Sequence, residues 1–219
     1  MSSNQRFFLL ITLLPFTILS FFSSTSLAVD FCVADLNGYQ TPSGYVCKNP
    51  ANVTADDFVF SGLITGANTS NINKAAATPA TVQQFPGLNG LNLAAARADF
   101  APGGAIPLHT HPYSSEMIYV VEGSVTAGFV SGITSNKVYV KKLKKGEIMV
   151  FPQGLVHFQA NTGSENAVVF ATFGNADPGV QMINAALFGN DFSSFLVEKT
   201  TNIDQAEVRK LKKLLGGSG

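Results

Sequence analysis

Charged residues are scarce in this chain, and neither sign is in excess. Asp, Glu, Lys and Arg make up 13% of its 219 residues, and 14 basic side chains balance 14 acidic ones. Because there is no broad basic field, the sequence predicts no binding to nucleic acid or to an anionic membrane surface. Hydrophobic residues reach 46%, which is enough for a full core and for further apolar surface buried in an oligomer.

Long hydrophobic runs are also few, and the one candidate lies at the amino terminus. Arg6 precedes an apolar stretch over residues 7–22, and small residues then lead to Ala28. This pattern predicts a secretory signal peptide over residues 1–28, cleaved after Ala28. The stretch is shorter than the roughly 20 residues that a membrane span needs. We therefore expect a secreted protein that keeps no membrane anchor after cleavage.

The only two cysteines, Cys32 and Cys47, lie close together near the start of the mature chain. In an oxidising compartment they are expected to form a disulfide that staples an amino-terminal segment, residues 29–57. A thiol pair for metal or redox chemistry is the alternative. Secretion also gives meaning to the Asn-x-Ser/Thr sequons at Asn52 and Asn68, which we predict as glycosylation sites. Asn52 is the better candidate, since it follows Pro50 in a polar, loop-like stretch.

Short apolar runs separated by Gly, Pro and Asn predict strands between residues 58 and 178. The clearest runs are residues 116–122, 125–130, 137–141 and 167–171. Several are apolar on both faces, which suits a β-sandwich or barrel whose outer face meets another subunit. Residues 66–90, rich in Asn, Ala, Thr, Gly and Pro, are predicted to be irregular. After residue 178 the apolar residues recur at the spacing of a helix, and helices are predicted over 179–188 and 205–215.

Only three histidines are present, and all of them lie in two short motifs. His109, His111 and Glu116 belong to the first motif, and His157 belongs to the second. His109 and His111 are two residues apart, so on a strand both side chains point to one face. A turn after Pro112 would let Glu116 face the same interior. Three neutral imidazoles and a carboxylate make a good ligand set for a divalent transition metal, whereas histidines used only for packing would be scattered.

The two motifs, residues 103–123 and 146–161, resemble the paired signatures of the cupin superfamily. The likeness to plant germin-like proteins extends to further segments, residues 30–36, 85–91 and 99–104. Residues 56–62 and 149–154 are similar to the germin-like branch that includes auxin-binding-type members.

The resemblance implies an all-β jelly-roll barrel, a single cupin domain over residues 58–178, with a carboxy-terminal α-helical extension over residues 179–219. It also implies a homo-oligomer, a hexamer arranged as a trimer of dimers, and an apoplastic glycoprotein. The implied cofactor is manganese bound by His109, His111, Glu116 and His157. Iron and zinc stay open as alternatives, since the ligand preferences of these metals overlap.

The family resemblance leaves the activity open, because function lies in the site and not in the fold. Germins that oxidise oxalate are thought to hold it with two asparagines, and the matching positions here are Ala96 and Ile106. Neither side chain can hydrogen-bond a carboxylate, so oxalate oxidation is not expected. The favoured hypothesis is superoxide dismutase-like chemistry on a small anion.

Two other classes of function stay open. One is binding of a small carboxylate such as auxin in an apolar pocket, predicted to contain Ala96, Ile106, Leu108 and Phe151. The other is a non-catalytic wall protein or storage protein (nutrient reservoir). A basic run at residues 141–145 reads as a solvated strand end or turn, with association with the cell wall as an alternative.

Overall fold

The computed structural model describes residues 29–219, so the predicted signal peptide lies outside the described residues. Within that range the strands are β1 Gln40–Thr41, β2 Gly44–Tyr45, β3 Ala75–Ala80, β4 Ala94–Phe100, β5 Ala105–Thr110, β6 Glu116–Glu122, β7 Ser124–Val130, β8 Val138–Lys144, β9 Ile148–Phe151, β10 His157–Ala160, β11 Ala167–Phe173 and β12 Gln181–Met182. The helices are α1 Ile183–Phe188, α2 Ser194–Thr201 and α3 Gln205–Leu215, and short 3-10 turns occupy Pro50–Asn52, Ala55–Phe58 and Pro86–Leu88.

Two antiparallel five-stranded sheets form the body of residues 32–219. One has the strand order β12-β5-β10-β7-β8 and the other β3-β4-β11-β6-β9, while β1 and β2 form a separate small hairpin. The larger strands are connected by crossovers, as in a jelly-roll barrel. The predicted all-β barrel with a carboxy-terminal helical extension is confirmed.

Side chains from both sheets fill the space between them. Ile118 and Val169 from one sheet share a buried cluster with Val125, Ala127 and Leu143 from the other. The inward residues of β6 alternate with outward ones, as the strand period of two requires. The outward residues Met117, Tyr119 and Val121 are apolar and between 40% and 44% exposed.

The prediction that residues 66–90 are irregular is wrong for one segment. Ala75–Ala80 is a strand that pairs with β4 over its whole length. It lies at the edge of its sheet, where Pro79 is tolerated because one side of the strand needs no partner. Small alanines and a proline carry little β propensity, so this strand depends on its neighbour and not on its own sequence.

The predicted disulfide joins Cys32 to Cys47 and closes a loop within the amino-terminal segment. The side-chain amide of Asn89 is buried and donates hydrogen bonds to Sγ of Cys32 and to the carbonyl of Tyr45. Lys48 forms an ion pair with Asp57 at 2.9 Å. The hydrogen bonds of Asn89 are the contacts among these that tie the segment to a residue distant in sequence.

Both predicted glycosylation sites lie on the surface. Asn52 ends a 3-10 turn that Asn49 caps with its side chain, and Asn68 accepts a hydrogen bond from the backbone N–H of Ser70. Asn52 and Asn68 are both exposed, so the folded chain leaves both side chains accessible to modification.

The carboxy-terminal extension contains one helix more than the sequence suggested. The predicted helix over 179–188 begins only at Ile183, because β12 first pairs with β5, and helix α2 was missed. Val197 of α2 and Val208 of α3 are fully buried and belong to a second apolar cluster. No helix among residues 29–219 is long and apolar enough to cross a membrane.

Lys212 of α3 is a charged residue in a buried position. Its side chain is buried, at 2% exposure. Its ammonium group donates to the backbone carbonyls of Asn190, Phe192 and Ser218. Three carbonyl acceptors match the three donors of an ammonium group, so Lys212 ties the chain after α3 to the loop before α2.

Candidate metal centre

The four predicted ligands come together in a buried cluster to which strands of both sheets contribute. His109 is the penultimate residue of β5 and faces His157, the first residue of β10, as a registered pair. Glu116 opens β6 after the turn that follows His111. One ligand atom from each residue lies within 4.8 Å of all the others, and all four side chains are buried. His111 and Glu116 are five residues apart and would face opposite sides of one continuous strand. The turn between them lets both side chains face the same interior, as expected from the sequence.

Backbone carbonyls set the tautomer of each imidazole. Nδ1 of His109 lies 2.8 Å from the carbonyl of Pro107, and Nδ1 of His157 lies 2.8 Å from that of Leu155. Nδ1 of His111 lies 2.5 Å from the carbonyl of Gly179. A carbonyl only accepts, so each Nδ1 carries the proton and each Nε2 presents a lone pair. Metal-binding histidines in proteins are commonly oriented in this way.

The electrostatics of the site keep its ligands ready to bind a cation. Burial lowers the pKa of His109 to about 4, and the neighbouring His157 acts in the same direction. Burial alone would raise the pKa of Glu116, but hydrogen bonds with His111 and His157 outweigh it and hold that pKa at about 2. At neutral pH His109 is therefore an uncharged imidazole that can bind a metal ion, and Glu116 is an ionised carboxylate.

These residues fit a divalent metal ion. Nε2 of His157 lies 2.9 Å from Oε2 of Glu116, and Nε2 of His111 lies 3.4 Å from the same oxygen. A hydrogen bond between Nε2 and Oε2 uses a proton on the imidazole; when that nitrogen carries no proton, lone pairs of nitrogen and oxygen face one another in a buried space. Such an arrangement needs a shared cation or proton between them, and three imidazoles with one carboxylate suit a transition metal.

Aromatic rings support the imidazoles from outside the cluster. Phe151 stacks on His157 with ring centroids 4.6 Å apart, and Phe173 meets His111 edge-on at 4.8 Å. These rings restrict how far the imidazoles can turn. They also place apolar surface beside His157 and His111.

A cavity of about 390 Å³ opens onto His109, His111 and Glu116. Much of its wall is apolar; it includes Ala77, Ala95, Ala96, Ala98, Ile106, Ala171, Phe173 and Met182. Among residues 29–219, no lysine or arginine lines it. The positions predicted to lack polar groups, Ala96 and Ile106, are therefore cavity walls.

Two of the four predicted pocket residues lie elsewhere. Leu108 is adjacent to His109 on β5, so strand alternation turns it outward, and it is 47% exposed. Phe151 is 1% exposed, and it packs behind His157 instead of lining the cavity. The prediction of a pocket at Leu108 and Phe151 is corrected accordingly.

One polar residue of the cavity was missed from the sequence. Gln159 is 3% exposed, lines the cavity and lies 3.5 Å, Nε2 to Oε1, from Glu116. It stands two residues after His157 on β10, so the same alternation that placed His111 beside His109 would have placed Gln159 beside His157.

Comparison with known proteins agrees with this geometry. Residues 61–209 match the cupin family. A germin-like protein of Morus alba is 55% identical over 201 residues, covering 92% of this chain and 95% of the relative. The chain belongs to the cupin family, among its germin-like members.

Two further relatives are informative about the branch and the fold. The auxin-binding protein ABP20 of Prunus persica is 52% identical over 204 residues, covering 93% of this chain and 94% of the relative. The solved structure of an oxalate oxidase superposes with a TM-score of 0.82 at 36% identity, covering 85% of this chain and 95% of that chain. The germin-like fold predicted from the motifs is thus shared with a solved enzyme of known reaction.

Proposed function

We propose that this germin-like chain binds one manganese ion through His109, His111, Glu116 and His157 and dismutes superoxide. The observation that carries the proposal is the buried ligand cluster that opens onto a largely apolar cavity, in which none of the described residues 29–219 places a lysine or arginine to bind a second anionic group of a substrate. Two superoxide anions and two protons yield one dioxygen and one hydrogen peroxide. Manganese held by these four residues would supply the redox couple that this exchange of one electron between two superoxide anions requires.

The residues of the chain make that chemistry possible in separate ways. The carbonyls bonded to Nδ1 keep the imidazoles turned toward the metal position. Glu116 offsets part of the charge of the bound cation. The alanines of the cavity admit a diatomic anion while excluding most bulk water, which strengthens the attraction of the cation for that anion.

Oxalate is a poorer fit to the same cavity. The side chains of Ala96 and Ile106 offer no hydrogen-bond donor to the second carboxylate of a dianion, and no lysine or arginine in the described part of the chain lines the wall. Burying that carboxylate without a partner would be costly. We therefore propose that the chain lacks the reaction of the oxalate oxidase whose fold it shares.

Stopped-flow measurement of superoxide decay tests the proposal. The manganese-loaded protein should accelerate decay, and the metal-stripped protein should not. His111→Ala should abolish both metal binding and activity while its circular dichroism spectrum matches the wild type. Equal rates for loaded and metal-stripped protein would refute the proposal.

A second candidate function is binding of a small apolar carboxylate. Its support is the size and apolar wall of the cavity, together with relatives that are named auxin-binding proteins. Calorimetric titration with indole-3-acetate separates this candidate from the first. Saturable heat that depends on the metal would favour binding, and its absence would count against it. A metal-loaded protein without dismutation or ligand binding would instead match a wall or storage protein.

We further propose export to the apoplast, glycosylation and assembly into a hexamer. The disulfide and the exposed sequons at Asn52 and Asn68 support export. The apolar outward residues Met117, Tyr119 and Val121 support burial against another subunit. Intact-mass analysis of the purified protein would show the cleavage site and glycans, and light scattering would give the assembly mass.

A further inference from the structure

A second cavity lies beside the metal cavity and differs from it in chemical character. Its volume is about 500 Å³, and Asp177 lines both cavities. The polar residues of its wall are Gln40, Thr41, Ser43, Asn89, Asn92, Tyr113, Asn175 and Asp177. Within residues 29–219, no lysine or arginine lines this second cavity. It is therefore a polar cavity without a cationic group.

The walls of the polar cavity are fixed by hydrogen bonds within the protein. The buried side chain of Asn89 accepts a hydrogen bond from the N–H of Tyr45 and donates one to the carbonyl of the same residue. The side chain of Asn175 donates to the carbonyl of Tyr113 and accepts from the N–H of Asp177. The cavity is therefore formed before any ligand arrives, as small-molecule sites in proteins usually are.

Other side chains of the wall are free to bind a ligand. Those without a hydrogen-bond partner among residues 29–219 are Gln40, Ser43, Asn92, Tyr113 and Asp177. Amide and hydroxyl groups both donate and accept hydrogen bonds, whereas the carboxylate of Asp177 only accepts them. The wall therefore offers donors and acceptors together.

This set of groups discriminates between classes of ligand. An anion would face the carboxylate of Asp177 with no cation to offset the repulsion. An apolar ligand would cover amides and hydroxyls without replacing their hydrogen bonds to water, which costs free energy. A neutral molecule rich in hydroxyl groups avoids both costs, because each of its hydroxyls can donate and accept.

We propose that the polar cavity binds a neutral saccharide. The ring of Tyr113 lies against Gly179, where an added Cβ would come within 3.0 Å of it, yet 64% of Tyr113 stays exposed. Such a ring can pack on the C–H face of a sugar while its hydroxyl forms a hydrogen bond. None of the four metal ligands lines this cavity, so the proposal does not rest on the metal site or on dismutation.

Saturation-transfer NMR of the purified protein with neutral disaccharides tests the class of ligand. The probes are cellobiose, the repeat of a glucan chain, mannobiose, which carries the sugar of N-linked glycans, and galactobiose. We expect at least one to bind, with the same affinity for manganese-loaded and metal-stripped protein, and its identity distinguishes a glucan from a glycoprotein glycan as the source. Digalacturonate, the anionic counterpart of galactobiose, should not bind.

Three outcomes of that measurement would overturn the proposal. The first is that none of the neutral disaccharides binds. The second is that digalacturonate binds as tightly as the best neutral disaccharide, which would show that the cavity accepts anions. The third is that binding is lost with the metal, which would place the sugar in the metal cavity.

A double variant, Gln40→Ala with Tyr113→Phe, tests the location of the sugar. It removes one amide and one hydroxyl from the wall and keeps the aromatic ring. We expect the affinity for the disaccharide to fall by about twentyfold to thirtyfold, at about fivefold for each lost hydrogen bond. Gln83→Ala, at an exposed glutamine outside the cavity, is the matched control and should leave the affinity unchanged.

Both substituted side chains are exposed, so we expect the double variant to fold, as circular dichroism would show. If it does not fold, Gln40→Ala alone takes its place, with an expected loss of about fivefold. Wild-type affinity in the folded variant would overturn the assignment of the sugar to the polar cavity.

Discussion

Acid should destabilise the metal-free protein through His109. Burial lowers the pKa of this imidazole to about 4, against 6.5 for an ordinary histidine. As pH falls from about 6.5 to about 4, the unfolded chain takes up a proton that the folded protein does not. Stability therefore falls with pH across this window, and at higher pH the contribution of His109 no longer changes.

The size of the effect follows from the difference between the two pKa values. A difference of about 2.5 corresponds to about 3 kcal/mol, at roughly 1.4 kcal/mol for each unit of pKa. Glu116 acts in the same direction at lower pH, because its folded pKa is about 2 and its stabilising charge is lost as pH falls below its unfolded value. The window between pH 6.5 and 5 therefore reports mainly on histidines.

Urea unfolding followed by circular dichroism, in the presence of a chelator and at fixed protein concentration, measures this dependence. His109→Gln cannot titrate, so the difference between the wild-type and variant profiles isolates His109. We expect the wild type to lose about 3 kcal/mol more than His109→Gln between pH 7 and pH 4. Parallel profiles, or a larger loss in the variant, would refute the burial argument.

Three further predictions concern stability and specificity. Replacing Cys32 and Cys47 by alanine should lower the free energy of unfolding by about 3 kcal/mol, as expected when a loop of this length is no longer closed by a disulfide. Metal affinity should not change. An unchanged denaturation midpoint would contradict this prediction. Lys212→Met should destabilise by about 2–4 kcal/mol, because the hydrogen bonds of a buried ammonium group to three carbonyls are lost. The exposed Lys213→Met should not destabilise, and equal denaturation midpoints for the two variants would reject this role. Ala96→Asn combined with Ile106→Asn should strengthen oxalate binding to the manganese-loaded protein by roughly thirtyfold, at about 1 kcal/mol for each of two new hydrogen bonds. If calorimetry finds no gain in oxalate affinity, the side chains at these two positions do not set the specificity.

The features predicted best from the sequence are those whose cause is local. The histidine spacing fixed which side chains share a strand face, and the turn before Glu116 followed from its odd offset. The strand Glu116–Glu122 was predicted with the bounds that the structure has. In each case the chain's own period of two carries the information.

The features missed depend on partners that are distant in sequence. Strand β3 has little propensity of its own and exists through its pairing with β4. Lys212 has the residue type of a solvated helix face, but the loop before α2 and the chain after α3 bury it. Leu108 was assigned to the pocket because it is an apolar residue next to a ligand. On the strand, however, it alternates with His109 and faces outward.

The most direct test of the account is the location of manganese in crystals of the purified protein. An anomalous difference map from data collected on both sides of the manganese absorption edge identifies the element and its position together. The account predicts one peak for each chain, surrounded by Nε2 of His109, His111 and His157 and a carboxylate oxygen of Glu116. A fully formed ligand cluster without a manganese peak, or a peak at another place in the chain, would contradict it.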